Sequence, residues 1–435
     1  MSNGEALIAL DKAHVWHPFT QAATAPDPIP ITSASGSVLQ GADGKEYLDL
    51  IASWWVTTHG HGHPAVANAI AEQAKRLEQV IFAGFTHPPA ATLAQRLSEK
   101  LGGELSRVFF SDDGSTAVEV ALKMATQYHR NQGKPRNRFL AFHGGYHGDT
   151  VGAMSMGQGS GFFNAFDNML FEVDLLNYAP TWEGDVIADE RDRIAMITLE
   201  DAILRHGDAY AALIVEPLVQ GASGMRMCRP SFLEGVVERC REAGILVIFD
   251  EVMTGFGRTG SLFAFQQTAI EPDMICLSKG LTSGFLPMSV TVARESLYQV
   301  FMGEDFDRAL AHGHSFTANP LGCAAALASL DLFEQENTLA RIAEIEALHR
   351  DRLGAFRKSK KALRPRVCGT IGAIDLNVED GGYTSEVGPK LKQFFLDKGL
   401  LIRPLGNTVY LLPPYCTTDE QLHRGWDAIE EAVFL

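Results

Sequence analysis

Residues 245–279 read ILVIFDEVMTGFGRTGSLFAFQQTAIEPDMICLSK, and the two ends of this stretch decide the fold. Ile245 to Phe249 carries no polar side chain before Asp250, as a strand buried on both faces of a parallel sheet requires. Asp250 then falls at the strand's carboxyl end, where open α/β sheets hold their ligands. A second apolar run, Met274 to Leu277, delivers Lys279 to a similar sheet edge. Outward from this stretch, Val108–Phe110, Phe139–Phe142 and Ala211–Val215 are further short buried-strand runs. Helical spacing alternates with them at 116–126 and 230–243. Strand, turn and helix in rotation predict an α/β fold with a mostly parallel sheet flanked by helices.

A buried acid and a lysine on neighbouring strand ends suit one chemistry in particular. In a pyridoxal phosphate enzyme the lysine amine condenses with the cofactor aldehyde, and a carboxylate keeps the pyridine nitrogen protonated so that the ring withdraws electrons. Other readings stand beside it. An Asp ending a strand also serves as a turn cap, and most lysines are solvated. Gly255, Gly257 and Gly260 spell G-x-G-x-x-G, the dinucleotide fingerprint of a nucleotide-binding oxidoreductase. That motif should follow its strand directly and open a helix, and here five residues intervene and no helical pattern begins at Gly260.

Elsewhere, Ser111-Asp-Asp-Gly-Ser115 precedes a helix with Thr116 and Glu119 at capping-box spacing, a helix start that suits a phosphate. As a plain cap it would be unremarkable. Tyr146 stands on a Gly-rich loop after a strand, placed to stack on a flat ring or simply to pack. His59, His61 and His63 alternate with glycines and lack an interleaved acidic ligand, so no metal site is expected. Residues 157–190 are poor in pattern and read as a surface excursion. The organisation expected is an N-terminal segment over 1–60 belonging to a small domain, a large domain over 61–330, and a small α+β domain over 331–435.

Charged and hydrophobic fractions of 21% and 46% are those of a globular protein. A net charge of −16 with no compensating basic run disfavours nucleic acid or anionic membrane as partner. Six scattered cysteines without C-x-x-C spacing read as free thiols. The start MSNGEALIAL lacks the basic and apolar regions of a signal peptide, and no apolar segment reaches the ~20 residues of a membrane span, so a cytoplasmic location is expected.

Taken together, Asp43-Gly-Lys-x-Tyr-x-Asp49, Gly114-Ser115, Tyr146-His-Gly148, Asp250-Glu251, Ser278-Lys-Gly280 and Asn319-Pro320 resemble the class III, fold-type I pyridoxal phosphate aminotransferases over nearly the whole chain. Within that class, Trp16-His-Pro-Phe-Thr20, Ser53-Trp-Trp55, Phe85-Thr-His-Pro-Pro-Ala90, Gln220–Met227, Ile402-Arg-Pro404 and Pro413-Pro-Tyr415 are most similar to the adenosylmethionine-8-amino-7-oxononanoate aminotransferases of biotin synthesis. The resemblance implies Lys279 as cofactor-bearing lysine and general base, Asp250 on the pyridinium, Gly114 and Ser115 on the phosphate, and Tyr146 on the ring. It further implies a homodimer in which His314 and Ser315 complete the phosphate site of the partner subunit. Trp54, Gly313 and Arg403 would shape the substrate pocket, Arg403 pairing with a carboxylate. Asp149, Arg258 and Tyr415 are further substrate-site candidates.

One departure bears on the substrate. The family's Trp-His-Pro segment commonly continues with tyrosine, and this chain has Phe19, which keeps the packing and loses a hydrogen bond. The implied acceptor is 8-amino-7-oxononanoate and the implied donor S-adenosylmethionine, with lysine second because lysine-using relatives carry phenylalanine here. A broader ω-aminotransferase is the alternative within the class. A non-catalytic scaffold fits least, since buried strand-end Lys and Asp would then cost desolvation for no role.

Overall fold

The computed structural model describes residues 3–159, 161, 163–379, 381, 382 and 385–434. Its centre is a seven-stranded sheet in the order Leu105–Ser111, Ser289–Arg294, Met274–Leu277, Leu246–Asp250, Tyr210–Val215, Arg138–Phe142, Asp174–Leu176. Only Ser289–Arg294 runs antiparallel to its neighbours. The expected apolar runs are strands, fully buried in the middle of the sheet and partly buried at Val108 and Phe109, and they alternate between two cores. Val247, Phe249, Ile275, Leu277, Leu213 and Val215 face one cluster, and Leu246, Ile248, Met274, Cys276 and Ile214 the other. Each such side chain contributes about 1.5–3 kcal/mol by leaving water. Truncating the fully buried Phe249 to alanine would cost about 3–5 kcal/mol.

Helix Gly114–Asn131 covers the second face with Ala117, Val118, Val120, Ala121, Met124 and Ala125, while Pro230–Glu242 covers the first with Phe232, Leu233, Val236 and Val237. Proline at the first turn of Pro230–Glu242 costs nothing there, because that N–H has no helical partner.

The chain ends build a second layer together. Strands Ile31–Ser35, Val38–Gly41 and Glu46–Asp49 form an antiparallel meander, and Leu400–Leu401 joins it parallel to Glu46–Asp49. Ala362–Cys368, Ile371–Leu376 and Thr408–Leu411 make a separate antiparallel sheet against which helix Asp419–Ala432 packs around Trp426. Segments distant in sequence thus meet beside the carboxyl edge of the large sheet.

Two local readings need correction. The capping box at helix Gly114–Asn131 joins Asp113 to Thr116, whose N–H donates to the Asp113 carboxylate at 3.0 Å. Glu119, one turn on, instead accepts the Gly152 N–H at 2.6 Å and so ties the next helix, Val151–Met156, to this one. The 157–190 excursion also contains structure: Asp174–Leu176 is the edge strand of the main sheet and 188 opens the helix Ala188–His206. Three residues are too short a run to show a period, which is why the strand was invisible in sequence; Ser160 and Phe162 lie outside the described residues.

Candidate active site

Asp250 and Lys279 come together as the parallel pairing of their strands dictates. Asp250 stands opposite Cys276, so Lys279, three residues on, turns back over the same sheet edge with left-handed backbone at φ 45°. Both side chains line one cavity of about 530 Å³. The Asp250 carboxylate is 4% exposed; one oxygen meets His147 Nδ1 at 2.7 Å and the other accepts the Val252 N–H at 3.0 Å. A carboxylate so fixed cannot swing away from the cavity.

Burial pulls the Lys279 amine down to about 8, against the pull of Asp250 and Glu216 in the other direction. Its Nζ lies 5.0 Å over the Trp55 ring, and among the described residues no carboxylate comes within ion-pair distance of it. An amine so placed is nucleophilic near neutral pH.

Gly114 and Ser115 form the floor at the helix start. Ser115 Oγ accepts the Asp149 N–H at 3.1 Å, and Gly148, at φ 124°, passes so close that any Cβ there would strike the Ser115 hydroxyl. A side chain at Gly114 would collide with Val252. The two glycines therefore leave a cradle of backbone N–H groups at a helix N-terminus, with a hydroxyl beside it, shaped for an anion. Tyr146 forms part of the wall beside Asp149, and burial raises its phenol above the ordinary tyrosine range.

The mouth is aromatic. Buried Asp49 accepts the Ile51 and Ser53 N–H groups at 3.1 and 2.6 Å and meets His61 at 2.8 Å, pinning Ala52, Ser53 and Trp55 in left-handed backbone. Such conformations cost about 1–3 kcal/mol each and persist only where the surroundings enforce them. Here they turn both tryptophans to the cavity: Trp55 donates from Nε1 to the Tyr410 hydroxyl at 2.9 Å, and Trp54, 42% exposed, sits edge-on to Phe19 with Arg403 4.6 Å above its ring. Lys279 and Arg403 are the lysine and arginine that line the cavity, and Arg403 has no carboxylate partner among the described residues.

Of the site residues read from sequence, Phe19, Trp54, Gly114, Ser115, Tyr146, Asp149, Asp250, Lys279 and Arg403 line this one cavity. Arg258 and Tyr415 do not. Arg258 is 1% exposed and spends its guanidinium on the carbonyls of Pro413 and Thr57 at 2.9 and 2.8 Å, under the Tyr415 ring, while the Tyr415 hydroxyl donates to Phe256. They brace the 255–260 turn against the C-terminal segment. That turn opens only the short 3-10 segment Ala264–Gln267, anchored by Glu251 accepting the Ala264 and Phe265 N–H groups, so the glycine fingerprint is a corner and starts no helix. Gly313, His314 and Ser315 lie outside the cavity; His314 Nδ1 is 3.6 Å from Asp112, and Ser315 accepts from Gln79 through its carbonyl. The three alternating histidines go to separate partners, His59 to the Ser329 carbonyl, His61 to Asp49 and His63 to Glu336.

Sequence reasoning missed His147 and Glu216. Glu216 ends strand Tyr210–Val215 as Asp250 ends its own, and this parallel was the available signal. Burial pushes its carboxyl up to about 7.

The aminotransferase class-III family model matches residues 20–433. A protein of Synechococcus elongatus named adenosylmethionine-8-amino-7-oxononanoate aminotransferase is 52% identical over 97% of this chain and 98% of its own length. The crystal structure of the enzyme of that name from Methanocaldococcus jannaschii superposes with a TM-score of 0.91 at 33% identity, covering 99% of both chains. An (S)-enantioselective omega-transaminase from Thermomicrobium roseum superposes at 0.93 with 29% identity, over 99% of this chain and 98% of that one. A lysine and a fixed carboxylate across one cavity, an anion cradle at a helix start and a full-length family match together establish that the chain belongs to the class III aminotransferases, which depend on pyridoxal phosphate.

Proposed function

We propose that this chain moves an amino group onto the ketone of 8-amino-7-oxononanoate to give 7,8-diaminononanoate, with S-adenosylmethionine as donor. One observation carries the reading. The amine of Lys279, over the Trp55 ring, and the guanidinium of Arg403, over the Trp54 ring, line the same cavity, whose wall also includes Met253, Leu405 and Tyr410. A long aliphatic chain with a reacting centre near one end and a carboxylate at the other matches those surfaces. The names of the Synechococcus and Methanocaldococcus proteins point to the same substrate.

The residues present fit the cofactor. Gly114 and Ser115 would hold its phosphate at the helix N-terminus, Asp250 its ring nitrogen, Tyr146 one face of the ring, and Lys279 its aldehyde carbon. When bound, pyridoxal phosphate supplies an electron sink that accepts the pair left behind when a proton leaves the substrate carbon. The chain supplies the rest. Asp250, held by His147 and the Val252 amide, would keep a proton on the ring nitrogen by presenting a negative charge that cannot turn away. Lys279 Nζ would carry the proton between the substrate carbon and the cofactor's aldehyde carbon, a role suited to an amine whose ordinary pKa has been lowered to about 8. Trp54, Trp55 and Phe19 give the mouth an apolar lining, and Arg403 orients the acceptor by its carboxylate.

Gly313, His314 and Ser315 lie outside the lining of their own cavity, next to exposed Phe316, which supports a homodimer in which a second copy receives them. Free thiols throughout support a reducing, cytoplasmic setting. Lysine is the second donor reading, because Phe19 offers no hydroxyl at the mouth where Trp54 and Arg403 converge.

The test is a half-reaction assay. Purified protein carrying the cofactor should absorb visible light through its lysine linkage, and S-adenosylmethionine should discharge that absorbance while 8-amino-7-oxononanoate restores it. Discharge by lysine alone would move the donor assignment; failure of 8-amino-7-oxononanoate to restore the colour would remove the acceptor.

A further inference from the structure

Glu216 stands in the cavity wall, 5% exposed, with a task divided between two loops. One carboxylate oxygen accepts the Tyr146 N–H at 3.0 Å and the other the Gly221 N–H at 2.9 Å. Tyr146 belongs to the turn after strand Arg138–Phe142. Gly221 belongs to the hairpin made by Val219–Gln220 and Arg226–Met227. The hairpin is not at ease: Leu218, just before its first strand, and Met225, just before its second, have left-handed backbone with φ 64° and 51°. It is held by Arg366, which donates to the Gly224 and Met225 carbonyls at 2.6 and 2.8 Å, and by the Ser223 hydroxyl on the Gly144 carbonyl. Its tip is tight against the aromatic wall, since a Cβ at Gly221 would lie 2.9 Å from Met253 and 3.2 Å from Trp55.

We propose that Glu216 is a positioning residue: its carboxylate, by clamping the Tyr146 and Gly221 amides to one point, sets the distance between the Tyr146 ring and the Ala222–Met253–Trp55 wall, and so the plane in which the cofactor ring is held. The inference rests on the reading of the Lys279 cavity as the cofactor site. A carboxylate is needed because it alone accepts on both oxygens. Glutamine accepts on one and turns an NH₂ toward the other amide, leaving a buried N–H unpaired; aspartate keeps the charge but is one methylene too short to span both amides. Burial pushes the Glu216 carboxyl up to about 7, and the two donated hydrogen bonds work against that rise.

The experiment compares wild type, Glu216→Gln and Glu216→Asp as cofactor-loaded protein, by thermal unfolding, visible circular dichroism of the bound cofactor, and kcat against KM for the acceptor. Both variants should fold and hold cofactor. Both should change the visible dichroism, and kcat should fall by about tenfold in each while acceptor KM stays within about threefold, because Arg403 is untouched. Variants with wild-type dichroism and wild-type kcat per bound cofactor, differing only in thermal midpoint, would show a merely structural carboxyl and overturn the inference alone. A wild type that takes up no cofactor would overturn the functional reading and this inference with it.

Discussion

Replacing Arg403 by methionine should weaken acceptor binding without slowing the chemistry. The side chain is half-buried at the mouth, stacked 4.6 Å over Trp54, and has no carboxylate partner among the described residues, so its charge is free for a ligand. Two unit charges about 4 Å apart attract by about 4 kcal/mol at the effective dielectric of a protein surface. Desolvating a half-exposed guanidinium and a carboxylate returns part of that, leaving about 2–3 kcal/mol, within the range of charge-assisted hydrogen bonds. Acceptor KM should therefore rise about 30- to 150-fold at unchanged kcat, since the contact is the same in ground and transition states. Methionine keeps most of the apolar contact with Trp54 and forfeits only the cation–π attraction, about 0.5–1 kcal/mol at an exposed site. Steady-state kinetics with the free acid and its methyl ester decide the matter. The ester should bind wild type as weakly as the acid binds Arg403→Met, and the variant should not distinguish the two. An Arg403→Met enzyme that still prefers the acid by the wild-type factor would refute the carboxylate assignment.

Lys279→Ala should abolish both visible absorbance and transfer while leaving the fold intact, measured by spectroscopy and thermal unfolding. In cofactor-free protein, Lys279→Met should be the more stable chain below pH 8. There the wild-type fold buries an ammonium; between about 8 and 10.5 the folded amine is neutral while the unfolded one remains protonated, so wild-type stability rises with pH and the gap of about 1–3 kcal/mol closes. Urea titrations across that range give the sign, and a gap independent of pH would contradict it. Asp250→Asn keeps the shape and loses the charge beside His147, so kcat should fall by about 100-fold or more with acceptor KM little changed. Phe19→Tyr adds a hydroxyl within reach of Trp54 and should alter kcat/KM for S-adenosylmethionine by about fivefold, read from single-turnover rates with each donor.

The centre of the fold was legible because its strands are buried on both faces, and continuous apolar runs ending in Asp250 and before Lys279 leave few alternatives. The cradle at 113–115 was legible as a helix start but not in its cap, since Asp113, Ser115 and Thr116 all have side chains able to cap and only the backbone decides among them. Arg258 and Tyr415 lie outside the cavity lining, and sequence does not tell this in advance, because an arginine buried against carbonyls and one aimed at a substrate carry the same composition. Glu216 follows its apolar run as visibly as Asp250 does, but its role, like that of His147, depends on which strands become neighbours. The order of the seven strands, with Tyr210–Val215 beside Leu246–Asp250, cannot be read from any local pattern.

The pairing of Leu400–Leu401 with Glu46–Asp49 fixes an order of events during synthesis. Lys279, Asp250 and the anion cradle all lie within the first 280 residues, but Asp49's neighbour strand, Arg403 and the Tyr410 hydroxyl that receives Trp55 arrive only with the last tenth of the chain. A ribosome three-quarters through the message has polymerised the reactive lysine, its carboxylate and the tryptophans of the mouth, but not Arg403 or Tyr410. The wall of the cavity is thus completed last, and shortening the carboxyl terminus would remove Arg403 and the Trp55 partner Tyr410 before it removed the reactive lysine.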